Sequence, residues 1–163
     1  MSERVEKIMR DYNMMRRDLA VVEKELVNFK GITAQEILDS MQYSRPDGDR
    51  VQTSNVSDKT CSIAINYKAR LEQINHDWLV HLADEYMTLK DELDFFETAV
   101  SQLSGYLPDL IRDLVIERET WDTVMQKYHI CRKTVSNARK KAIEELDALY
   151  AQRDRRMAEY LLG

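Results

Sequence analysis

The sequence predicts an all-α protein in which an elongated helical hairpin with coiled-coil character precedes a smaller C-terminal helical domain. Only four glycines and two prolines interrupt its 163 residues, and 33% of the residues are charged. This composition is typical of long amphipathic helices rather than of a β-sheet. Apolar residues also recur at helical spacing along most of the chain. We therefore divide the chain into residues 1–104, the hairpin, and residues 105–163, the C-terminal domain.

The first element is predicted to be a helix with a heptad seam. Its apolar residues alternate steps of three and four, which is typical of a left-handed coiled coil or a helical hairpin. The seam consists of Val5, Ile8, Tyr12, Met15, Leu19, Val22, Leu26 and Phe29. We expect Gly31 to end this helix, because glycine adopts the left-handed conformation common at helix ends. Thr33 and Glu36 form a capping-box pattern for a short helix that runs to about Met41.

A polar loop at about 42–57 connects the first helix to a much longer one. This loop could contact a partner or a phosphate through Arg45 and Arg50, or it could be a solvated linker. Ser57 or Asp58 can start the following helix of about 45 residues, which would be about 65–70 Å long. Its seam consists of Ala64, Tyr67, Leu71, Ile74, Trp78, Leu82, Tyr86, Leu89, Leu93, Phe96, Val100 and Leu103. Consecutive steps of four around Trp78 predict a stutter in the supercoil.

The C-terminal domain is predicted to begin with a supporting helix. Gly105 marks a break in the chain, and Pro108 suits the first turn of a helix. An apolar stripe follows, formed by Leu110, Ile111, Leu114 and Val115. We expect this stripe to pack behind the two helices that come next, because two short helices alone bury too little surface.

Residues 121–141 are predicted to form a helix-turn-helix, with Thr120 as the N-cap of its first helix. Such a unit needs apolar residues where its two helices press together. These places are filled by Val124, Tyr128, Ile130, Val135 and Ala138. Met125 and His129 replace the small residue and the glycine that are usual there. Methionine is flexible enough to fit, and histidine tolerates a positive φ better than most residues.

Basic residues concentrate on the second helix of this unit. The chain carries a formal net charge of -5, but residues 127–141 contain six basic residues and no acidic one. Local charge decides whether a surface attracts phosphate. We predict that the major groove of double-stranded DNA is approached by Arg132, Lys133, Ser136, Asn137 and Lys140. Flanking phosphates are assigned to Lys127, Arg139 and Lys141. A solvated basic helix face is the alternative, since Lys and Arg are good helix formers.

Other site chemistry is not indicated by the sequence. It contains no phosphate-binding glycine loop, nucleophile elbow or zinc spacing, so we expect neither an enzyme nor a cofactor. His76 and His81 are five residues apart and fall on different helix faces, which argues against a metal pair. The sequence has no apolar run long enough for a membrane span and no signal-peptide pattern. We therefore expect a cytoplasmic protein, in which Cys61 and Cys131 are free thiols.

The last third of the chain resembles region 4 of sigma-70 factors, the part that reads promoter DNA. The similarity is closest at Thr120-Trp121, Val124, Ile130, Thr134-Val135 and Lys141-Ala142-Ile143. The loop from Pro46 to Ser54 and the residues Asp58-Lys59 also resemble small regulators encoded by phages and prophages of Gram-positive bacteria. These are late activators related to autolysin regulatory protein. The resemblance implies a transcription regulator of phage or prophage genes, although nothing in the chain resembles the core-binding regions of a sigma factor.

The expected partners follow from this interpretation. Double-stranded DNA is the first, and RNA polymerase is a second candidate. A homodimer is expected because a single helix-turn-helix buries little DNA surface. Two alternatives stay open: a coiled-coil interaction module that binds an acidic surface on a polymerase subunit or a phage assembly partner, and a DNA-packaging component similar to small terminase subunits.

Overall fold

The computed structural model describes residues 2–33, 35–36 and 57–163, and side chains within 3–33, 35–36 and 68–163. All regular structure in these ranges is helical, which confirms the predicted all-α class. The helices are α1 (Ser2–Val27), α2 (Ser57–Ser101), α3 (Leu107–Ile111), a π-helix (Arg112–Ile116), α4 (Trp121–Tyr128) and α5 (Arg132–Leu162). The predicted polar loop and the short helix to Met41 lie almost entirely outside the described residues.

Contacts group these helices into two compact units, Met1–Val21 with Thr88–Gly163, and Val22–Met87. The first unit holds one continuous apolar core to which α1, the end of α2 and all the C-terminal helices contribute. The predicted domains, 1–104 and 105–163, divide the chain at a different place and stay a prediction. What the core does establish is that residues 105–163 do not bury their apolar side chains by themselves.

In the first unit, the predicted seams of α1 and α2 supply buried side chains. They include Val5, Ile8 and Tyr12 from α1, and Leu93, Phe96, Val100 and Leu103 from α2 and the turn after it. The Tyr12 and Phe96 rings pack 5.5 Å apart between their centroids. The Tyr12 hydroxyl donates to the Glu97 carboxylate. Burial and this hydrogen bond raise the pKa of Tyr12 to about 12. Arg16 also donates to Glu97, at 2.9 Å.

In the second unit, the chain after α1 is held by Asn75. The Ile32 backbone N–H donates to Asn75 Oδ1 at 2.6 Å, and Asn75 Nδ2 donates to the Ile32 carbonyl at 3.2 Å. Gly31 adopts the predicted left-handed conformation, with φ +75°, but α1 ends earlier, at Val27. The predicted capping box is confirmed: Thr33 N–H donates to Glu36 and Glu36 N–H donates to Thr33.

The middle of the predicted α2 seam is not buried. Leu82 is buried, whereas Ile74 and Trp78 are exposed, Trp78 to 47%. Each four-residue step rotates the next side chain by about 40° around the helix. Ile74, Trp78 and Leu82 follow one another at such steps, so the first two turn away from the buried face. The predicted α2 seam is therefore not buried along its whole length, and the stutter stays a prediction.

The supporting helix begins as predicted and then changes its geometry. Gly105 has φ +59°, and Pro108 lies in the first turn of α3. From Arg112 the chain continues as a π-helix, in which the Glu117 N–H donates to the Arg112 carbonyl at 2.9 Å. Asn13 Nδ2 of α1 donates to the Val115 carbonyl at 2.8 Å. This side chain satisfies a carbonyl at the end of the π-helix that has no partner within the helix itself.

Candidate nucleic-acid interface

The helices α4 and α5 are joined by residues 129–131. Thr120 is extended and its Oγ1 accepts from the Thr123 N–H at 3.2 Å, which confirms the predicted N-cap of α4. His129 ends α4 in the left-handed conformation, with φ 54° and ψ 44°, as its position in the turn predicted. The Ile130 N–H then donates to the Met125 carbonyl at 3.1 Å. Cys131 has an extended backbone and is the N-cap residue that precedes α5.

The apolar places of this two-helix unit meet in the core as predicted. Val124, Val135 and Ala138 are buried, and Tyr128 and Ile130 pack against them as partly buried side chains. Met125 also packs against the core, so its flexible side chain fits where a small residue is usual. This packing determines which side of α5 faces the protein.

The opposite side of α5 carries the predicted groove residues in two turns. Lys133, Asn137 and Lys140 are exposed, and Ser136 between them is half-buried. Spacings of three and four residues place them on one face of the helix. Within the described chain, Lys133, Asn137 and Lys140 have no side-chain hydrogen bond or ion pair. We call this surface the outward face: Lys133, Ser136, Asn137, Lys140 and Lys141.

Two predicted contact residues lie on a different flank of α5. The Arg132 guanidinium stacks 5.4 Å from the centroid of the Trp121 ring. Arg139 is half-buried and borders a cavity of about 170 Å³ together with Trp121 and Glu119. Both side chains therefore turn toward α4 rather than to the outward face. Their DNA contacts stay a prediction.

Lys127 is exposed but forms an ion pair with Asp113. Its Nζ donates to Asp113 Oδ2 at 2.8 Å, and the Tyr128 hydroxyl donates to the same oxygen at 2.6 Å. Burial alone would raise the pKa of Asp113, but these two hydrogen bonds hold it below its ordinary value. The pKa of Lys127 is raised by its hydrogen bond to the carboxylate. The charge of Lys127 is thus offset within the molecule, and its predicted phosphate contact stays untested.

Sequence reasoning missed Asp113 as a member of this region. The residue lies 14 positions before Lys127, on the π-helix, and no spacing rule connects the two. The available signal was a carboxylate inside an otherwise apolar stripe. A buried carboxylate needs a hydrogen-bonding or charged partner. The basic residues that follow in the sequence, Lys127 among them, were the candidates for that partner.

The N-terminus of α5 has neither a side-chain cap from Cys131 nor an acidic residue in its first turn. Backbone N–H groups at such an end favour negative charge. Cys131 itself is an exposed free thiol, as predicted, and a hydrogen bond with Thr134 lowers its pKa. The side chain of Cys61 lies outside the described residues.

A groove runs beside the outward face. It has a volume of about 410 Å³, and the turn before α3 forms one wall while α5 forms the other. Its lining residues are Ser104, Gly105, Tyr106, Leu107, Thr134, Asn137, Ala138 and Lys141. Ser104 anchors the turn, because its N–H and Oγ donate to the two Glu145 oxygens at 2.9 and 2.6 Å. These hydrogen bonds lower the pKa of Glu145.

No group of three or more His, Cys, Asp or Glu side chains among the described residues could hold a metal ion. Nor does any helix there combine the length and apolar character that crossing a membrane requires.

No protein-family model matches the chain, and neither the curated proteins nor the solved structures contain a match to it. The likeness to region 4 of sigma-70 factors accordingly stays a resemblance carried by particular residues. The function has to be inferred from those residues and from their geometry.

Proposed function

We propose that this protein is a sequence-specific DNA-binding transcription regulator, in which α4, residues 129–131 and α5 act as a helix-turn-helix similar to sigma-70 region 4. The observation that carries the proposal is the outward face. Lys133, Asn137 and Lys140 are presented in two successive turns at the start of a helix, and their side chains have no partner among the described residues. The back of the same helix is buried. This is the arrangement that a helix needs in order to enter the major groove.

The residue types on this face match the chemistry of base pairs. An asparagine amide can pair with the N6 and N7 atoms of adenine, and a lysine ammonium can donate to the O6 and N7 atoms of guanine. We assign Asn137 and Lys133 to base edges, with Lys140 and Ser136 beside them. Lys141 and the uncapped N-terminus of α5 suit phosphates on either side.

The binding should depend strongly on salt. Lys127 is offset by Asp113, which leaves five other cations in this two-helix unit: Arg132, Lys133, Arg139, Lys140 and Lys141. If about five phosphates are neutralised in the complex, log K should fall against log salt with a slope of about −4.5. This slope separates a DNA reader from a protein whose basic helix is merely solvated.

The remaining parts of the proposal concern assembly and context. We infer that α1 and α2 form a helical hairpin, supported by the two hydrogen bonds from Tyr12 and Arg16 to Glu97. A homodimer would bring two outward faces to one DNA site and add contact area. Three parts of the proposal rest on the sequence interpretation alone. They are RNA polymerase as a partner, a phage or prophage origin of the target genes, and a cytoplasmic location.

The decisive experiment is selection of bound duplexes from a random DNA pool, followed by titration of the selected duplex at several salt concentrations. A consensus sequence and a slope near −4.5 are expected. Lys133→Gln should weaken binding to the selected duplex more than binding to random DNA. Arg155→Gln is the matched control, because Arg155 is exposed on the distal part of the same helix and should change neither quantity. Absence of a consensus together with a slope near zero would refute the proposal.

A second function is favoured by the distal end of α5. Met157, Tyr160, Leu161 and Leu162 are all exposed, and an apolar helix end of this kind suits a protein-interaction module. Salt-dependent DNA binding without a consensus would favour this alternative or a packaging role. Light scattering then separates a dimer from the ring that small terminase subunits form.

A further inference from the structure

The groove beside the outward face is walled by a turn that the sequence interpretation left without a role. Tyr106 is the prominent residue of that turn. Its side chain is 45% exposed, and its hydroxyl has no hydrogen-bond partner among the described residues. Its ring lies 6.2 Å from the Tyr128 ring, between centroids. Tyr106 therefore stands close to the end of α4 and next to the first turns of α5.

The turn is held firmly against α5. Both oxygens of Glu145 accept from Ser104, at 2.9 and 2.6 Å, so this carboxylate faces the turn. Leu107, which directly follows Tyr106, is buried in the core. The backbone at Tyr106 is thus anchored on both sides, at Ser104 and at Leu107. Binding a ligand through the Tyr106 hydroxyl would therefore cost little backbone entropy.

Some residues in the largely apolar lining of the groove can donate hydrogen bonds to a phosphate chain. Lys141 is exposed in one wall, Asn137 and Thr134 add polar groups, and Tyr106 supplies a phenol donor opposite them. The Glu145 carboxylate lies beside this site, where the hydrogen bonds from Ser104 and, after them, the charge of Lys141 lower its pKa. The groove also continues from Asn137, which belongs to the outward face. A strand whose bases meet the outward face would have its backbone beside this groove.

We propose that the groove between the Ser104–Leu107 turn and α5 binds the sugar–phosphate backbone of one DNA strand, with the Tyr106 hydroxyl and Lys141 donating to neighbouring phosphates. The inference rests on the proposed function and adds a contact outside the helix-turn-helix. Tyr106 is a binding residue for the backbone, carries no sequence information and fixes the register of α5 on the duplex. Its loss should weaken cognate and random duplexes alike.

The test uses the full chain and the duplex obtained by selection, with fluorescence anisotropy as the readout. Tyr106→Phe removes the phenol donor and keeps the ring that packs near Tyr128. We expect roughly three- to tenfold weaker binding to both cognate and random duplexes. The salt slope should stay unchanged, because no charge is removed. Lys141→Gln should weaken binding and reduce the slope by about 0.9. Gln152→Ala is the control, since Gln152 is exposed further along α5, and it should bind as the parent protein does.

A phosphate-by-phosphate scan makes the contact specific. Single phosphates of the selected duplex are replaced by uncharged methylphosphonates, and the binding of the parent and of Tyr106→Phe is compared at each position. At one or two adjacent positions the replacement should weaken the parent but not the variant. Parent-like binding by Tyr106→Phe, while Lys133→Gln is impaired, would overturn this inference and leave the proposed function intact. Equal losses for parent and variant at every position would overturn it as well. If the parent protein binds no duplex, the proposed function fails and this inference fails with it.

Discussion

Replacing Tyr128 with Phe tests how the supporting helix is joined to α4. In the structure the Tyr128 hydroxyl donates to the carboxylate of Asp113 at 2.6 Å, and Asp113 is 7% exposed. A hydrogen bond to a charged acceptor contributes about 1.5–3 kcal/mol. Because the bond is short and its acceptor is buried, we expect Tyr128→Phe to lower the free energy of unfolding by about 2 kcal/mol. For a chain of this size the melting temperature should fall by about 4–8 °C.

The assay is urea denaturation followed by circular dichroism, with Asp113→Asn and the double variant completing a mutant cycle. Since both residues share one contact, their effects should be less than additive. Tyr160→Phe provides the control and should leave stability unchanged. If Tyr128→Phe lowers the free energy of unfolding by the same amount in the Asp113→Asn background as in the parent, the hydrogen bond contributes nothing to stability and the reasoning is refuted.

The same cycle has a defined dependence on pH. The folded-state pKa of Asp113 lies below its ordinary value, so its stabilising contribution is present above the unfolded-state pKa and is lost as pH falls through the folded-state value. The coupling between Tyr128 and Asp113 should therefore be constant near neutral pH and should fade below about pH 4. Coupling that persists fully in strong acid would contradict an ionised carboxylate.

Further predictions concern the backbone. Gly31→Ala should destabilise the protein more than Gly105→Ala. Both glycines have a positive φ, which alone costs alanine about 1 kcal/mol. Of the two, only a Cβ at Gly31 would also meet another atom, Asn75 Nδ2 at 2.9 Å. Equal losses in urea denaturation would remove the steric part of this explanation. Thr120→Ala should lower stability by about 1 kcal/mol through loss of the α4 N-cap, whereas Thr120→Ser should restore most of it. A Thr120→Ala variant as stable as the parent would show that the cap is energetically silent.

Local chemistry made part of the structure predictable. The Thr120 cap, the left-handed His129 and the Thr33–Glu36 capping box each depend on residues within four positions of one another. Helical periodicity likewise identified which side of α5 is buried. Contacts between distant segments were not predictable in this way. The pairing of Lys127 with Asp113 depends on the π-helix, and the turn of Arg139 toward Trp121 depends on how α4 packs on α5.

The candidate site follows the same division. Because Lys133, Asn137 and Lys140 share a helix face, their spacing alone grouped them, and the structure leaves them exposed together. Tyr106 belongs to a turn that the sequence marked only by Gly105 and Pro108. Its position beside Asn137 arises from the contact between Ser104 and Glu145, 41 residues apart. No periodic pattern contains that information.

The hydrogen bond from Asn13 to the Val115 carbonyl has a consequence for engineering. It is made by the first helix of the chain to the helix that supports α4 and α5, and Val5, Ile8, Met9 and Tyr12 share the core of those same helices. The two-helix unit that we propose to bind DNA therefore depends on packing with the first helix, α1. We expect that residues 105–163 alone do not fold stably, and that a fusion or truncation that displaces α1 destabilises α4 and α5.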